Sequence, residues 1–232
     1  MFCGKKKAVT FSFDDGDTQD QRLIAILDKY GLKGTFNLNS ELLGKAQSLI
    51  REEKTVAHVH PRPEEIRRIY EGHEVAVHTL THPRLPDIAE EAEIIRQVEE
   101  DRKNLSELVG YEVVGMAYPC GGRNHDERVA KLIAESTGVR YARTIISNES
   151  TNLQSDLYRF RPTCHALWEG LMPLAEAFLE GDPEEASLLY VWGHSFEFDI
   201  REEYWARFEE FCKFIAGRGD VFYGTNRECF GL

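Results

Sequence analysis

The sequence predicts an α/β fold with a mainly parallel sheet. Short apolar runs alternate with helical patterns from residue 8 to residue 226. No repeat, low-complexity tract or Pro/Gly/Ser linker interrupts them, so residues 1–232 read as one domain. A doubly wound sheet and an incomplete or irregular barrel fit this pattern equally well. Both put chemistry at the carboxyl ends of the strands.

The first strand is residues 8–13, where Val9, Phe11 and Phe13 alternate with Thr10 and Ser12 as in a half-buried strand. A helix follows in "QDQRLIAILDKYG". Leu23, Ile26, Leu27 and Tyr30 recur at i, i+3, i+4 and i+7, and Gly31 is a stop. "KGTFNLN" reads as the second strand. "PEEIRRIYEG" is a short helix with Pro63 near its start and Gly72 at its end. "HEVAVHT" is the third strand. A long helix over about 87–109 carries Ile94, Val98, Leu105, Leu108 and Val109 on one face. "VVGMAYP" is the fourth strand, "DERVAKLIAESTG" a helix and "RYARTII" the fifth strand. "SLLYVWGH" is a later strand, "EYWARFEEFCKFIAG" an amphipathic helix, and "VFYGTN" closes the chain.

At 232 residues the chain is long enough to bury a core without staples. Apolar residues make up 42% and charged residues 29%, a globular rather than disordered balance. A net charge of −12 argues against nucleic acid or an anionic membrane as a main partner, since both require a basic face. The five cysteines form no CxxC pair and no even framework, and read as reduced thiols. "MFCGKKKAVTF" has basic residues but no apolar segment of the signal-peptide kind. With a pI of about 5.2, this points to a cytoplasmic protein.

The segments just after the proposed strands carry the chemistry. The first strand ends in Asp14-Asp15-Gly16, which could be a plain turn. The third ends in His78-Thr79-Leu80-Thr81-His82, the fourth in Tyr118-Pro119-Cys120-Gly121-Gly122, and the late strand in Trp192-Gly193-His194. Four such segments on one rim suggest a site. The i, i+4 spacing of His78 and His82 would put both imidazoles on one side of a helical turn. Two histidines and a carboxylate from a neighbouring strand suit a catalytic divalent metal with open positions. One aspartate then serves as ligand and the other faces the bound water as base. His194 is placed to donate a proton to a leaving group. The Pro119–Cys120 segment, followed by Gly121 and Gly122, lets a backbone N–H approach an oxyanion.

These residues resemble the NodB-homology polysaccharide deacetylases, a carbohydrate esterase family. "TFSFDDGD", "HTLTH", "AYPCGG" and "VWGH" match the family's motifs in order over residues 10–194. The resemblance implies a distorted (β/α) barrel of about seven strands. It implies that Asp15, His78 and His82 hold a divalent metal, zinc before cobalt or nickel. It implies Asp14 as general base, His194 as general acid and the Cys120 backbone N–H at the oxyanion, with Tyr118 and Pro119 beside it. The reaction would release acetate from an N-acetylated amino sugar or its polymer.

The sequence departs from the family at Ala117, where many members carry an arginine that orients the base. Arg161 and Arg123 are the candidates to replace it, and Asp156 is the candidate partner for His194. His165 and Trp192 could line the pocket. His58, His60, His73 and His125 read as structural or surface residues, Glu197 and Asp199 as helix caps, and Trp168 as core. Two other readings follow from the same residues. One is a hydrolase of a cyclic amide or ureide, a small amide in place of a carbohydrate. The other is a non-catalytic relative that kept the metal or carbohydrate site.

Overall fold

Lys7–Asp15 form the central strand, β1, which is buried along its whole length. The sequence pattern suggested one covered face, but the other face is also enclosed. Val9, Phe11 and Phe13 pack in the main apolar core under the helices. Thr10, Ser12 and Asp14 lie on the opposite face and are equally buried. Polar bonds replace solvent there: Thr10 Oγ1 donates to Asn226 Oδ1 (2.8 Å), and Asn37 Nδ2 donates to Ser12 Oγ (2.9 Å). The alternation therefore separates an apolar helix side from a polar barrel interior.

The computed structural model describes residues 2–232. After β1 come α1 (Asp20–Lys29), β2 (Gly34–Leu38) and a hairpin of β3 (Ala46–Arg51) and β4 (Lys54–Val59). Next are α2 (Ile66–Ile69), β5 (Glu74–Val77), α3 (Glu91–Val109), β6 (Gly115–Ala117), α4 (Glu127–Ser136) and β7 (Tyr141–Arg143). The chain ends with β8 (Cys164–His165), α5 (Leu171–Glu180), β9 (Ser187–His194), α6 (Glu202–Ile215), β10 (Val221–Tyr223) and α7 (Asn226–Phe230). The main sheet runs β7-β6-β5-β2-β1-β9-β8, with β10 beside the start of β1. Every pairing in it is parallel.

The sheet curls until its ends meet. Phe160, four residues before β8, donates its N–H to the Ala142 carbonyl (3.0 Å) and accepts from the Thr144 N–H (2.8 Å). The result is the distorted (β/α) barrel that the resemblance implied. Its strand ends at Asp15, Val77, Ala117 and His194 bring the four polar segments to one rim.

Some elements differ from expectation. The long helix starts at Glu91 rather than 87. Leu85–Asp87, with Pro86 inside, forms a separate 3-10 turn, and Ile88 is extended. The β3–β4 hairpin, β8, α5 and α7 were not anticipated. Among the described residues, no helix is long and apolar enough to cross a membrane.

Candidate active site

Asp14 and Asp15 end β1 in opposite roles. Asp14 is buried, and its Oδ1 accepts from Asn37 Nδ2 (2.9 Å) and from Arg143 Nη2. Arg143 is itself fully buried at the end of β7, and its Nε donates to Ser12 Oγ (3.1 Å). Its guanidinium lies 4.8 Å from the centre of the Trp192 ring. Arg161 and Arg123 lie outside the cleft. Arg161 is exposed, with its backbone bonded to Gln154, and Arg123 is exposed beside Asp126 (3.6 Å). The cation at Asp14 thus comes from the strand after Ala117, not from either arginine considered from sequence.

Asp15 turns to the other side through a left-handed backbone (φ +76°), followed by Gly16 (φ +70°). A side chain at Gly16 would be strained by this backbone, and its Cβ would lie 2.4 Å from Leu38 Cδ2. Asp15 Oδ1 sits 3.5 Å from His78 Nε2 and 3.4 Å from His82 Nε2. One donor atom from each of the three residues lies within 4.8 Å of the others. Burial alone would lift the Asp15 carboxyl. The His78 contact and the charges of His194 and His78 outweigh it and hold the group well below the usual carboxylate range.

His78 and His82 meet without a helix. Residues 78–82 form a loop in which Thr79 (φ +69°) and His82 (φ +61°) are left-handed, and the two rings sit 4.9 Å apart. Asp15, Thr79, His82 and Cys120 (φ +70°) all carry such backbone, and strain of this kind concentrates at functional sites. His78 Nδ1–H donates to the Ala117 carbonyl (2.9 Å), so Nε2 is the nitrogen left to engage Asp15 or a metal. Burial and the neighbouring His78 lower His82 to about 4, which keeps its ring neutral and able to ligate. Two imidazole nitrogens and a carboxylate oxygen placed this close together fit a divalent ion.

His194 faces the same cleft from β9. Its Nδ1 lies 3.2 Å from Glu197 Oε2, and His165 Nε2 lies 3.0 Å from the same oxygen. Burial works against its proton, but Glu197, and then Asp15 and Asp14, raise His194 to about 10. Burial would lift Glu197 too; the two histidines instead hold it well below the usual carboxylate range. Asp156 does not reach His194. It is exposed, caps the Leu157–Arg159 turn and pairs with Arg159 Nε (2.7 Å). Glu197 also accepts the His194 N–H (3.2 Å), so it caps and orients at once. Asp199 instead accepts from Trp205 Nε1 (2.9 Å).

The cleft has a volume of about 210 Å³. Asp14, Asp15, His78, His82 and His194 line it together with Tyr118, Cys120 and Trp192. Trp192 Nε1 donates to Ser147 Oγ (3.2 Å). Tyr118 is buried with its hydroxyl bonded to the Tyr158 carbonyl (2.8 Å), and Pro119 is buried where the chain leaves β6. Burial raises the Cys120 thiol, which opposes a thiolate nucleophile. Arg51, on the unanticipated hairpin, also reaches the cleft.

The family model described as polysaccharide deacetylase matches residues 3–142. No curated protein matches the sequence significantly. The fold is similar to the Xyl-CE4 domain of a multidomain xylanase from the hindgut metagenome of Trinervitermes trinervoides. That likeness has a TM-score of 0.59 and 16% identity, over 97% of this chain and 90% of that one. It is also similar to a family 4 acetyl xylan esterase from Clostridium thermocellum in complex with a cobalt ion (TM-score 0.57, 17% identity, 97% and 91% covered). A third similar structure is the peptidoglycan deacetylase PdaC from Bacillus subtilis (TM-score 0.55, 17% identity, 97% and 91% covered). At these identities the likeness speaks for the fold. The family match spans more than half of the chain, and with it this chain belongs to the polysaccharide deacetylase family.

Proposed function

We propose that the chain hydrolyses the acetamide of an N-acetylated amino sugar or its polymer at the Asp14–His194 cleft. The observation that carries this reading is the division of the aspartate pair. Asp14 is held by Arg143 and Asn37, while Asp15 faces His78 and His82. Asp15, His78 and His82 would hold a divalent ion, with zinc the first choice for two nitrogens and one oxygen. When bound, such an ion supplies Lewis-acid polarisation and a more acidic water.

Asp14 takes the proton of the attacking water. Both its side-chain bonds fall on Oδ1, which leaves Oδ2 for that proton. Arg143 fixes the direction of the carboxylate. His194 carries its own proton at neutral pH and gives it to the departing nitrogen. The Cys120 backbone N–H helps hold the oxyanion. Trp192 forms a flat wall of the cleft on which a sugar face can rest. The cytoplasmic location read from the sequence is part of the same proposal, and the five free cysteines support it.

The test pairs metal analysis with acetate release from N-acetylglucosamine oligomers and smaller N-acetyl sugars, before and after chelation. Acetate release that disappears with the chelator and returns with zinc or cobalt is the expected result. Ring opening of a cyclic amide without any acetate release would overturn it.

A further inference from the structure

Two residues beyond Asp15, Asp17 is fully buried beside two histidines that the proposed reaction does not use. His58 lies on β4 and His60 just after it, and both are buried. His58 Nδ1 lies 2.7 Å from Asp17 Oδ1. The two imidazoles sit edge to face with centres 4.8 Å apart. One donor atom from each of Asp17, His58 and His60 lies within 4.8 Å of the others.

Hydrogen bonds among the described residues do not satisfy this group. Both Asp17 oxygens, His58 Nδ1 and His60 Nε2 are buried without a well-directed partner. His60 Nδ1 is occupied by the Asp15 carbonyl (3.0 Å), which places its proton there and turns the Nε2 lone pair toward the cluster. An ion pair between His58 and Asp17 accounts for one carboxylate oxygen. It leaves the second oxygen and His60 Nε2 buried and unpaired, an unfavourable state for polar atoms. A cation among the three residues would satisfy all of them.

We propose that Asp17, His58 and His60 form a second divalent-metal site, separate from the Asp15–His78–His82 group. Two imidazoles and one carboxylate suit a zinc-like ion rather than magnesium or calcium, which favour all-oxygen shells. Its role follows from position. The hairpin is exposed along most of β3, and its apolar contact is small: Val56 and Leu49 against Phe196, Ile200 and Tyr204. Two-stranded hairpins are marginal alone. An ion held by His58 and His60 on one side and Asp17 on the other pins the hairpin to the loop that carries Asp15. The hairpin in turn presents Arg51 to the cleft.

The experiment is zinc stoichiometry by elemental analysis of the full chain, stripped of metal, reloaded with zinc and dialysed. Wild type should hold two zinc ions per chain. The His78→Ala/His82→Ala and His58→Gln/His60→Gln variants should hold one each. In the His78→Ala/His82→Ala variant, zinc should also slow proteolysis within residues 46–59. One ion in wild type, with one retained in His58→Gln/His60→Gln, would overturn the second site and leave the first intact. Failure of His58→Gln/His60→Gln to fold does not remove the test, because the wild-type count decides it. A folded His78→Ala/His82→Ala variant without zinc would also overturn it.

Discussion

Arg143, at the end of β7, binds the Asp14 carboxylate at the end of β1, and both side chains are almost wholly buried. The contact supplies from a later strand the cation that Ala117 omits. Arg143→Ala should cut acetate release by at least ~10²-fold, the scale of a misdirected general base. It should also lower stability by about 3–5 kcal/mol, because Asp14 is left buried without its partner. Arg143→Lys keeps the charge but loses the fork that spans Asp14 and Ser12, so it should recover stability more than rate. Adding Ala117→Arg to Arg143→Ala tests whether a cation from the neighbouring strand can do the same work. A partial return of kcat is expected, and full activity in Arg143→Ala alone would refute the role.

Arg143 also shows what the sequence made legible and what it did not. "RYARTII" reads as a strand, and a charged residue inside a short apolar run signals a buried function. Its partner is set by the closure of the barrel, which brings strands 129 residues apart into contact. Glu197 lies three residues after His194, so a cap and a proton-holding partner look identical in sequence. The histidine pair was found through helical spacing, although a strained loop brings the rings together. β9 was plain because continuous burial favours an apolar run, and β1 because its apolar residues alternate with the polar ones of the barrel interior. The β3–β4 hairpin was hidden because most of β3 faces solvent and needs no such pattern. His58 and His60 consequently read only as structural or surface residues.

Glu197 sets the proton affinity of His194. Burial alone would lower it, but the carboxylate and the two aspartates raise it to about 10. The raised value makes the protonated ring stabilising below the ordinary 6.5, a contribution lost as pH rises through about 10. In the proposed mechanism the same loss would remove the acid for the leaving nitrogen, so the rate should fall on the alkaline side. Glu197→Gln should move that alkaline limb to lower pH by more than about one unit, equal to ~1.4 kcal/mol of lost interaction. A pH–rate profile of kcat for both proteins checks this. An unmoved limb would mean that His194 is not the acid or that Glu197 does not hold its proton.

Asp14 and Asp15 should separate cleanly when each is changed to asparagine. Asp14→Asn removes the base but leaves Asp15, His78 and His82 in place. Turnover should fall by ~10²–10⁴-fold with zinc content unchanged. Asp15→Asn weakens the ligand set itself, so zinc content and turnover should fall together. Zinc analysis beside acetate release distinguishes the two, and loss of the Asp15–His78–His82 ion in Asp14→Asn would contradict the division of roles.

Gly115, on β6, tests the barrel interior away from the cleft. A Cβ there would lie 2.1 Å from Tyr141 Oη and 2.3 Å from Tyr141 Cζ. Tyr141 has little freedom to yield: it is fully buried, its ring packs 5.0 Å from Phe230, and its hydroxyl donates to Glu74 Oε1 (3.0 Å). Glu74 in turn accepts from Thr35 Oγ1 (2.8 Å) and the Arg227 N–H (2.9 Å), which joins β2, β5, β7 and α7. Gly115→Ala therefore forces either a ring displacement or a broken bond in this network. Overpacking costs about 1–3 kcal/mol, and an acceptor left short of a donor adds about 1–3 kcal/mol. The expected loss is about 2–6 kcal/mol in urea unfolding. Tyr141→Phe should not rescue Gly115→Ala, because the ring carbon remains in the way. Tyr141→Leu should rescue part of the loss, with a favourable coupling in the double-mutant cycle. A Gly115→Ala protein within about 0.5 kcal/mol of wild type would show that Tyr141 moves more freely than its contacts allow.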